Sequence, residues 1–274
     1  MTRRTLLALP SAALAQAAPD RKAVIAAYEK KLAGQPEKFD RREHSEIEGW
    51  RMPYRLFRPQ AKGKLPLMLY LHGSGGLGSD NNKQITGGNL FGANLWTLPE
   101  VQKLQPCFVV APQTDRGWIR YSSRRPAVNP PRDQRPVPVA GIGQGAHAAI
   151  DLVRSLIAEF NLDDKRIYIS GQSMGGGGTW HLIAYFGEMF AAAAPYCGGF
   201  TAEIGDENPQ LPVWNFHGTA DETVDIQISR DRIAARKQAG GLPKHMEFEG
   251  AGHLIAPYAC TEPNLPEWLF SQNL

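Results

Sequence analysis

The chain predicts an α/β fold: a mostly parallel central sheet covered by helices on both faces, with antiparallel strands at the N-terminal side. Three observations carry that prediction. First, short apolar runs recur at Leu65 to Leu71, Cys107 to Ala111, Arg166 to Ser170, Ala191 to Tyr196 and Leu211 to Phe216. Runs apolar on both sides belong to strands sandwiched between helices. Second, helical patterns lie between them. From Ala146 the apolar positions are Ala149, Ile150, Val153, Ile157 and Phe160, one face of a helix, and Ile226 to Ala239 repeats the idea before Gly240-Gly241. Strands alternating with helices give a parallel sheet. Third, Glu46 to Phe57 alternates polar and apolar residues, as an antiparallel pair at a sheet edge does. Arg21 to Leu32 reads as a further helix with a mixed face.

Bulk properties narrow the function classes. The chain has 274 residues, 42% hydrophobic and 21% charged, with a net charge of +3. That length suits one domain over 18–274, since no linker composition interrupts it. A charge of +3 is too mild to point to nucleic acid, and no apolar run reaches bilayer length, which argues against stable membrane insertion. Residues 1–17 differ: Met1-Thr2-Arg3-Arg4 is basic, Thr5 to Ala15 is small and apolar, and Ala13-Leu14-Ala15 or Ala15-Gln16-Ala17 suits cleavage. The paired arginines resemble those of a twin-arginine export signal, which would make the protein periplasmic or secreted; an unprocessed tail on a cytoplasmic protein is the alternative. Gln113 to Pro138, rich in proline and arginine, reads as an insertion, because the sheet pattern resumes after it.

The chemistry concentrates at one turn. The strand Arg166 to Ser170 runs at once into Gly171-Gln172-Ser173-Met174-Gly175, followed by a glycine-rich, then apolar, helix-like stretch through Phe186. A serine on a strand-to-helix turn needs a strained backbone and neighbours without Cβ. Such a turn exposes Ser173 Oγ and aims free helix N–H groups at the same point. Alone the pattern is weak, because a glycine-rich chain produces it by chance.

Partners for Ser173 lie downstream. A serine needs a base to take its proton, and a histidine base needs a carboxylate to fix its tautomer. Val213 to His217 is a strand leading through Gly218-Thr219-Ala220 to Asp221, and Met246 to Phe248 leads through Gly250 to Gly252 to His253. Both candidates follow strand C-termini, the sheet edge where Ser173 sits and where open α/β sheets bind ligands. The order Ser, Asp, His suits such a sheet. Two N–H donors facing a developing oxyanion would complete the set: that of Met174 at the helix start, and that of Ser74, or else Gly75, in the glycine loop Gly73 to Gly78.

Other features carry less. His72 and His217, each before a glycine at a strand end, read as packing or hydrogen-bonding residues, and His44, His147, His181 and His245 have no metal-ligand spacing, so no metal is expected. Gly73-Ser74-Gly75-Gly76-Leu77-Gly78 fits a dinucleotide fingerprint, but no helix pattern follows and Ala111-Pro112-Gln113 brings no acid to the next strand tip; no cofactor is expected. Of three cysteines, Cys107 sits at the opposite sheet edge from Cys197, leaving Cys197–Cys260 as the one feasible disulfide and three buried thiols as the alternative.

Taken together, His72-Gly73 with its glycine loop, Gly171 to Gly175, His217-Gly218-Thr219-Ala220-Asp221 and Gly252-His253 resemble the α/β-hydrolases of the esterase, dienelactone-hydrolase and predicted-peptidase group. The resemblance runs from about Tyr54 to the C-terminus. It implies Ser173 as nucleophile, Asp221 as acid and His253 as base of a serine hydrolase acting on a small-molecule, oligosaccharide or polymer ester. The insertion departs from compact members; Trp118, Tyr121 and Arg120 within it are candidate substrate contacts, and a solvated loop is the alternative. A peptidase on the same residues, and an inactive hydrolase fold used for binding, are the competing readings.

Overall fold

The computed structural model describes residues 20–45, 51–121, 138–199 and 208–274. The leader 1–17 and most of the insertion lie outside them. Elements follow the chain as α1 (Arg21–Leu32), β1 (Asp40–Ser45), β2 (Arg51–Phe57), β3 (Leu67–Leu71), α2 (Pro99–Leu104), β4 (Phe108–Pro112), β5 (Ile119–Tyr121) and β6 (Pro138–Ile142). Then come α3 (Gln144–Phe160), β7 (Ile167–Gln172), α4 (Met174–Phe186), β8 (Ala192–Tyr196), β9 (Trp214–Gly218), α5 (Ile226–Gln238), β10 (Lys244–Phe248), α6 (Ala256–Cys260) and α7 (Leu265–Phe270).

Eight strands form one sheet in the order β1-β2-β4-β3-β7-β8-β9-β10. The pairs β1–β2 and β2–β4 are antiparallel, and the rest are parallel. The period-two alternation of a strand divides the apolar residues between two cores. In β3, Met68 and Tyr70 face one side, with α1, α2, α6 and α7, while Leu67, Leu69 and Leu71 face the other, with α3, α4 and α5. That two-sided burial is why the strands read as continuous apolar runs.

One expectation needs correction. The antiparallel pair begins earlier than Glu46: its first strand is Asp40–Ser45, and 46–50 are outside the described residues. Its sequence, DRREHS, is almost wholly polar and its residues are exposed or half-buried. A solvated edge strand needs no apolar face, and charge there blocks pairing with another chain. Hydrophobic periodicity therefore has nothing to detect.

Of the two readings for the cysteines, the structure has the buried thiols: all three cysteines are buried and free. Cys260 Sγ donates to the Phe91 carbonyl at 2.7 Å, and Cys197 Sγ to that of His253 at 3.1 Å. These two thiols each have a backbone acceptor, whereas Cys107 Sγ accepts from Gln102 Nε2 at 3.3 Å.

Inside α4, His181 is fully buried, lies 4.9 Å from the ring of Tyr185 at a tilt of 54°, and has no hydrogen-bond partner on either ring nitrogen. Burial, with Arg232 nearby, pushes its pKa down to about 4. The unfolded chain therefore binds a proton that the native ring refuses, and stability present above pH ~6.5 is lost as pH falls towards 4. His181→Phe keeps the ring and removes two unsatisfied polar atoms, a gain of about 1 kcal/mol or more. Its melting temperature should exceed that of the parent by about 2–4 °C per kcal/mol, and by more at pH 5 than at pH 7.5. An equal or lower melting temperature at both pH values would contradict this account.

Candidate functional site

Ser173 joins β7 to α4 with φ +57° and ψ −114°, a strained backbone that costs about 1–3 kcal/mol. Its N–H donates to the Tyr196 carbonyl of β8 at 2.9 Å, and its carbonyl accepts from Gly177 N–H at 2.9 Å. The two flanking glycines are there for close approach. A Cβ on Gly171 would run into the Gly175 and Leu71 carbonyls, and one on Gly175 into the Leu71 carbonyl. Strand, helix and the end of β3 can meet only without those atoms.

Two distant segments converge on the turn. The loop after β9 brings Asp221, and the loop after β10 brings His253. Ser173 Oγ stands 2.7 Å from His253 Nε2, and His253 Nδ1 stands 2.8 Å from Asp221 Oδ2. Asp221 accepts further hydrogen bonds from Thr223 N–H and Val224 N–H, both at 2.9 Å on Oδ1. Burial pushes its pKa up, but hydrogen bonds from His217, His253 and Val224 outweigh this and hold the carboxyl below the usual range. An ionised carboxylate only accepts, so the His253 proton resides on Nδ1 and Nε2 is free to accept from the serine hydroxyl.

His217 adds a second imidazole to the same carboxylate. Its Nε2 lies 3.1 Å from Asp221 Oδ2 and 3.2 Å from the Val224 carbonyl, so that nitrogen donates. Its Nδ1 meets Ser229 Oγ at 2.7 Å. The His217 and Asp221 side chains are both fully buried. Sequence reading marks His217 as a hydrogen-bonding residue but not its partner; the signal is its place four residues before Asp221 across Gly218.

The glycine loop lies against the turn. A Cβ built on Gly73 would stand 3.8 Å from Ser173 Cβ. Ser74 opens a three-residue 3-10 turn, Ser74–Gly76, and its first N–H has no partner within the turn. Met174 holds the equivalent first position of α4. Buried Asn89 fixes this loop, its Oδ1 accepting from Gly73 N–H at 2.9 Å while its Nδ2 donates to the Lys83 carbonyl at 2.9 Å. Gln113 Nε2 ties down the Gly76 carbonyl at 3.0 Å. Nothing local in the sequence marks either amide. His72 is fully buried beside the loop: Nδ1 donates to the Gly73 carbonyl at 2.8 Å, and Nε2 accepts from Thr114 N–H at 3.2 Å. Burial lowers its pKa to about 4, so it serves the loop as a neutral ring.

The insertion begins beside this site, since a Cβ on Gly117 would lie 3.6 Å from Met174 Sδ. Trp118 is a correction: it is fully buried, its indole N–H donating to the His72 carbonyl at 2.9 Å, so it supports the loop and offers no face to a ligand. The side chains of Arg120 and Tyr121 are outside the described residues. Among the described residues, Cys197, Asp221 and His253 form a group with ligand-type atoms within 4.8 Å of one another. No helix among them is long and apolar enough to cross a membrane.

The arrangement can activate a hydroxyl nucleophile with an imidazole. Comparison with known proteins points the same way. No protein-family profile matches the chain. A solved thermostable esterase is 33% identical with a TM-score of 0.76, over 88% of this chain and 64% of that one. A bifunctional acetylxylan esterase/xylanase of Neocallimastix patriciarum is 33% identical over 76 residues, 28% of this chain and 11% of its own length. Feruloyl esterase B of Piromyces equi is 33% identical over 79 residues, 27% of this chain and 15% of its own. The chain thus spans well under two thirds of the curated relatives it matches. Its structural neighbours are esterases, a putative dienelactone hydrolase and peptidase-type enzymes, and the chain has the α/β-hydrolase fold that they share.

Proposed function

We propose that the chain is a serine hydrolase that cleaves carboxylic esters through an acyl-enzyme, with Ser173 as nucleophile, His253 as base and Asp221 as its orienting carboxylate. The observation that carries the reading is the continuous relay from Ser173 Oγ through His253 to Asp221, with contacts of 2.7 and 2.8 Å. Ser173 Oγ attacks the ester carbonyl carbon and its proton passes to His253 Nε2. The oxygen of the tetrahedral intermediate takes hydrogen bonds from the N–H groups of Ser74 and Met174. His253 then protonates the departing alkoxide, leaving the acyl group on Ser173. Water repeats the sequence and frees the acid.

The relatives are named for acetylated xylan and feruloyl esters, which favours an acyl group on a plant polysaccharide or its fragments as substrate. A leader at 1–17 that exports the enzyme would suit a polymer too large to enter a cell. Arg120 and Tyr121 are kept as substrate contacts, because their strand starts two residues beyond Gly117, which packs on Met174. The same relay would cleave an amide. A panel of nitrophenyl esters, acetylated and feruloylated oligosaccharides and peptide amides separates the readings: turnover confined to amides would replace the esterase reading, and none at all would end it.

In this mechanism His217 is a positioning residue that holds Asp221 ionised and aimed at His253. A hydrogen bond to a charged group is worth about 1.5–3 kcal/mol. His217→Phe, which keeps an aromatic ring and loses all three polar contacts, should lower kcat about 10- to 100-fold with KM little changed. Steady-state ester kinetics on folded variant checks this; parent-like kcat would remove His217 from the mechanism.

A further inference from the structure

Cys197 is the nucleophilic group in this region that the proposed reaction does not use. It follows β8, fully buried, with φ +39°, an αL-like conformation that a cysteine rarely adopts. Its thiol lies beneath the relay and donates to the His253 carbonyl at 3.1 Å. Burial, and then the neighbouring Asp221 carboxylate, oppose its ionisation. One ligand-type atom from each of Cys197, Asp221 and His253 falls within a 4.8 Å cluster.

We propose that Cys197 Sγ, the Asp221 carboxylate and His253 Nδ1 form an inhibitory site for a soft divalent cation. Thiolate, imidazole and carboxylate are the donors that zinc and its softer relatives prefer. A tetrahedral zinc ion sets a sulfur and a nitrogen ligand about 3.6 Å apart, and a larger ion sets them wider. The ligand atoms already lie within 4.8 Å of one another, so capture draws sulfur and nitrogen onto the ion while Nδ1 and Oδ2 part from 2.8 Å to admit it. Entry is past His253, whose side chain is 18% exposed while that of Asp221 is closed off.

The exchange balances. The cation bonds to Sγ, whose proton leaves to solvent, and to Nδ1, whose proton reappears on Nε2. The charge of the group changes from the −1 of Asp221 to zero, so burying the dication leaves no excess charge. The consequence for catalysis follows from the tautomer. A protonated Nε2 donates to Ser173 Oγ and can no longer take its proton, so the base is lost while fold and cleft remain.

This inhibition rests on the proposed esterase mechanism, whereas ion binding does not, and the experiment reads the two separately. The full chain is titrated with Cd²⁺, following the ultraviolet thiolate-to-cadmium charge-transfer band and, in parallel, nitrophenyl ester hydrolysis. Expected are one band per chain, loss of at least about tenfold in rate, recovery with chelator, and no response to Mg²⁺. Cys197→Ser should lose the band and shift the inhibitory concentration at least about tenfold upward, each rate being taken relative to the same protein without metal. Should that variant not fold, the Cys107→Ser/Cys260→Ser double variant, which leaves Cys197 as the one thiol, must keep both band and inhibition. Absence of a band in the parent, equal cadmium sensitivity in Cys197→Ser, or loss of the band in the double variant would overturn the site. A band without any ester turnover in the metal-free protein would uphold the site and reject the esterase reading instead.

Discussion

Ser173→Ala and His253→Ala are each expected to lower kcat for a nitrophenyl ester by about 10⁴–10⁶. The low end corresponds to about 5.5 kcal/mol of transition-state stabilisation. The size follows from the relay acting as a unit: an imidazole 2.7 Å from a missing hydroxyl has nothing to deprotonate. A hydroxyl without its imidazole attacks only at the rate set by the N–H donors and by binding. The double variant should therefore be scarcely slower than either single one. Roughly multiplicative losses, or near-normal turnover in either variant, would show that the two side chains do not work together. Both substitutions shorten side chains at a partly exposed site, so thermal melting should change little and separates lost chemistry from lost fold.

Gly175→Ala should do the reverse and damage the fold first. Its added Cβ would run into the Leu71 carbonyl at the end of β3 and press on that of His72. Both are backbone atoms that no side-chain rotation can clear. Overpacking of this kind costs about 1–3 kcal/mol and sometimes more. At about 2–4 °C per kcal/mol for a chain of this size, a fall of about 6–12 °C is expected at the upper end of that cost. The folded fraction should also be slow, because the displaced segment leads directly into Gly73 and Ser74. A melting temperature within a degree or two of the parent would mean that the packing of β3 on α4 yields more easily than these contacts imply.

Much of this architecture was legible in the sequence, for physical reasons that also explain what was not. The strands at Leu67–Leu71 and Ile167–Gln172 are buried on both faces because helices cover both, which is why Leu67–Leu71 and residues 167–169 are apolar throughout, and α3 shows its stripe because only one of its faces is buried. The turn at Ser173 announces itself because steric exclusion leaves glycine as the residue that fits on either side. Asp221 and His253 could be picked out by their place after strand ends. What escaped was of a different kind. β1 is polar throughout, and Trp118 sits in a segment whose composition suggests a surface loop while its indole is locked to His72. Asn89 reaches Gly73 across 16 residues by a contact that no periodicity encodes. The second imidazole on Asp221 depends on how a loop bends back, which residue types alone do not specify.

The two outermost strands also bear on how the protein behaves in concentrated solution. β1 carries Asp40, Arg41, Arg42 and Glu43, and β10 at the far side carries Lys244 and Glu247, the latter in an ion pair with Arg230 at 2.8 Å. Extending the ribbon with a strand from a neighbouring molecule would strip water from these charges at either rim without supplying partners. Fibre-like stacking is thereby disfavoured, and self-association would have to proceed through the helical layers.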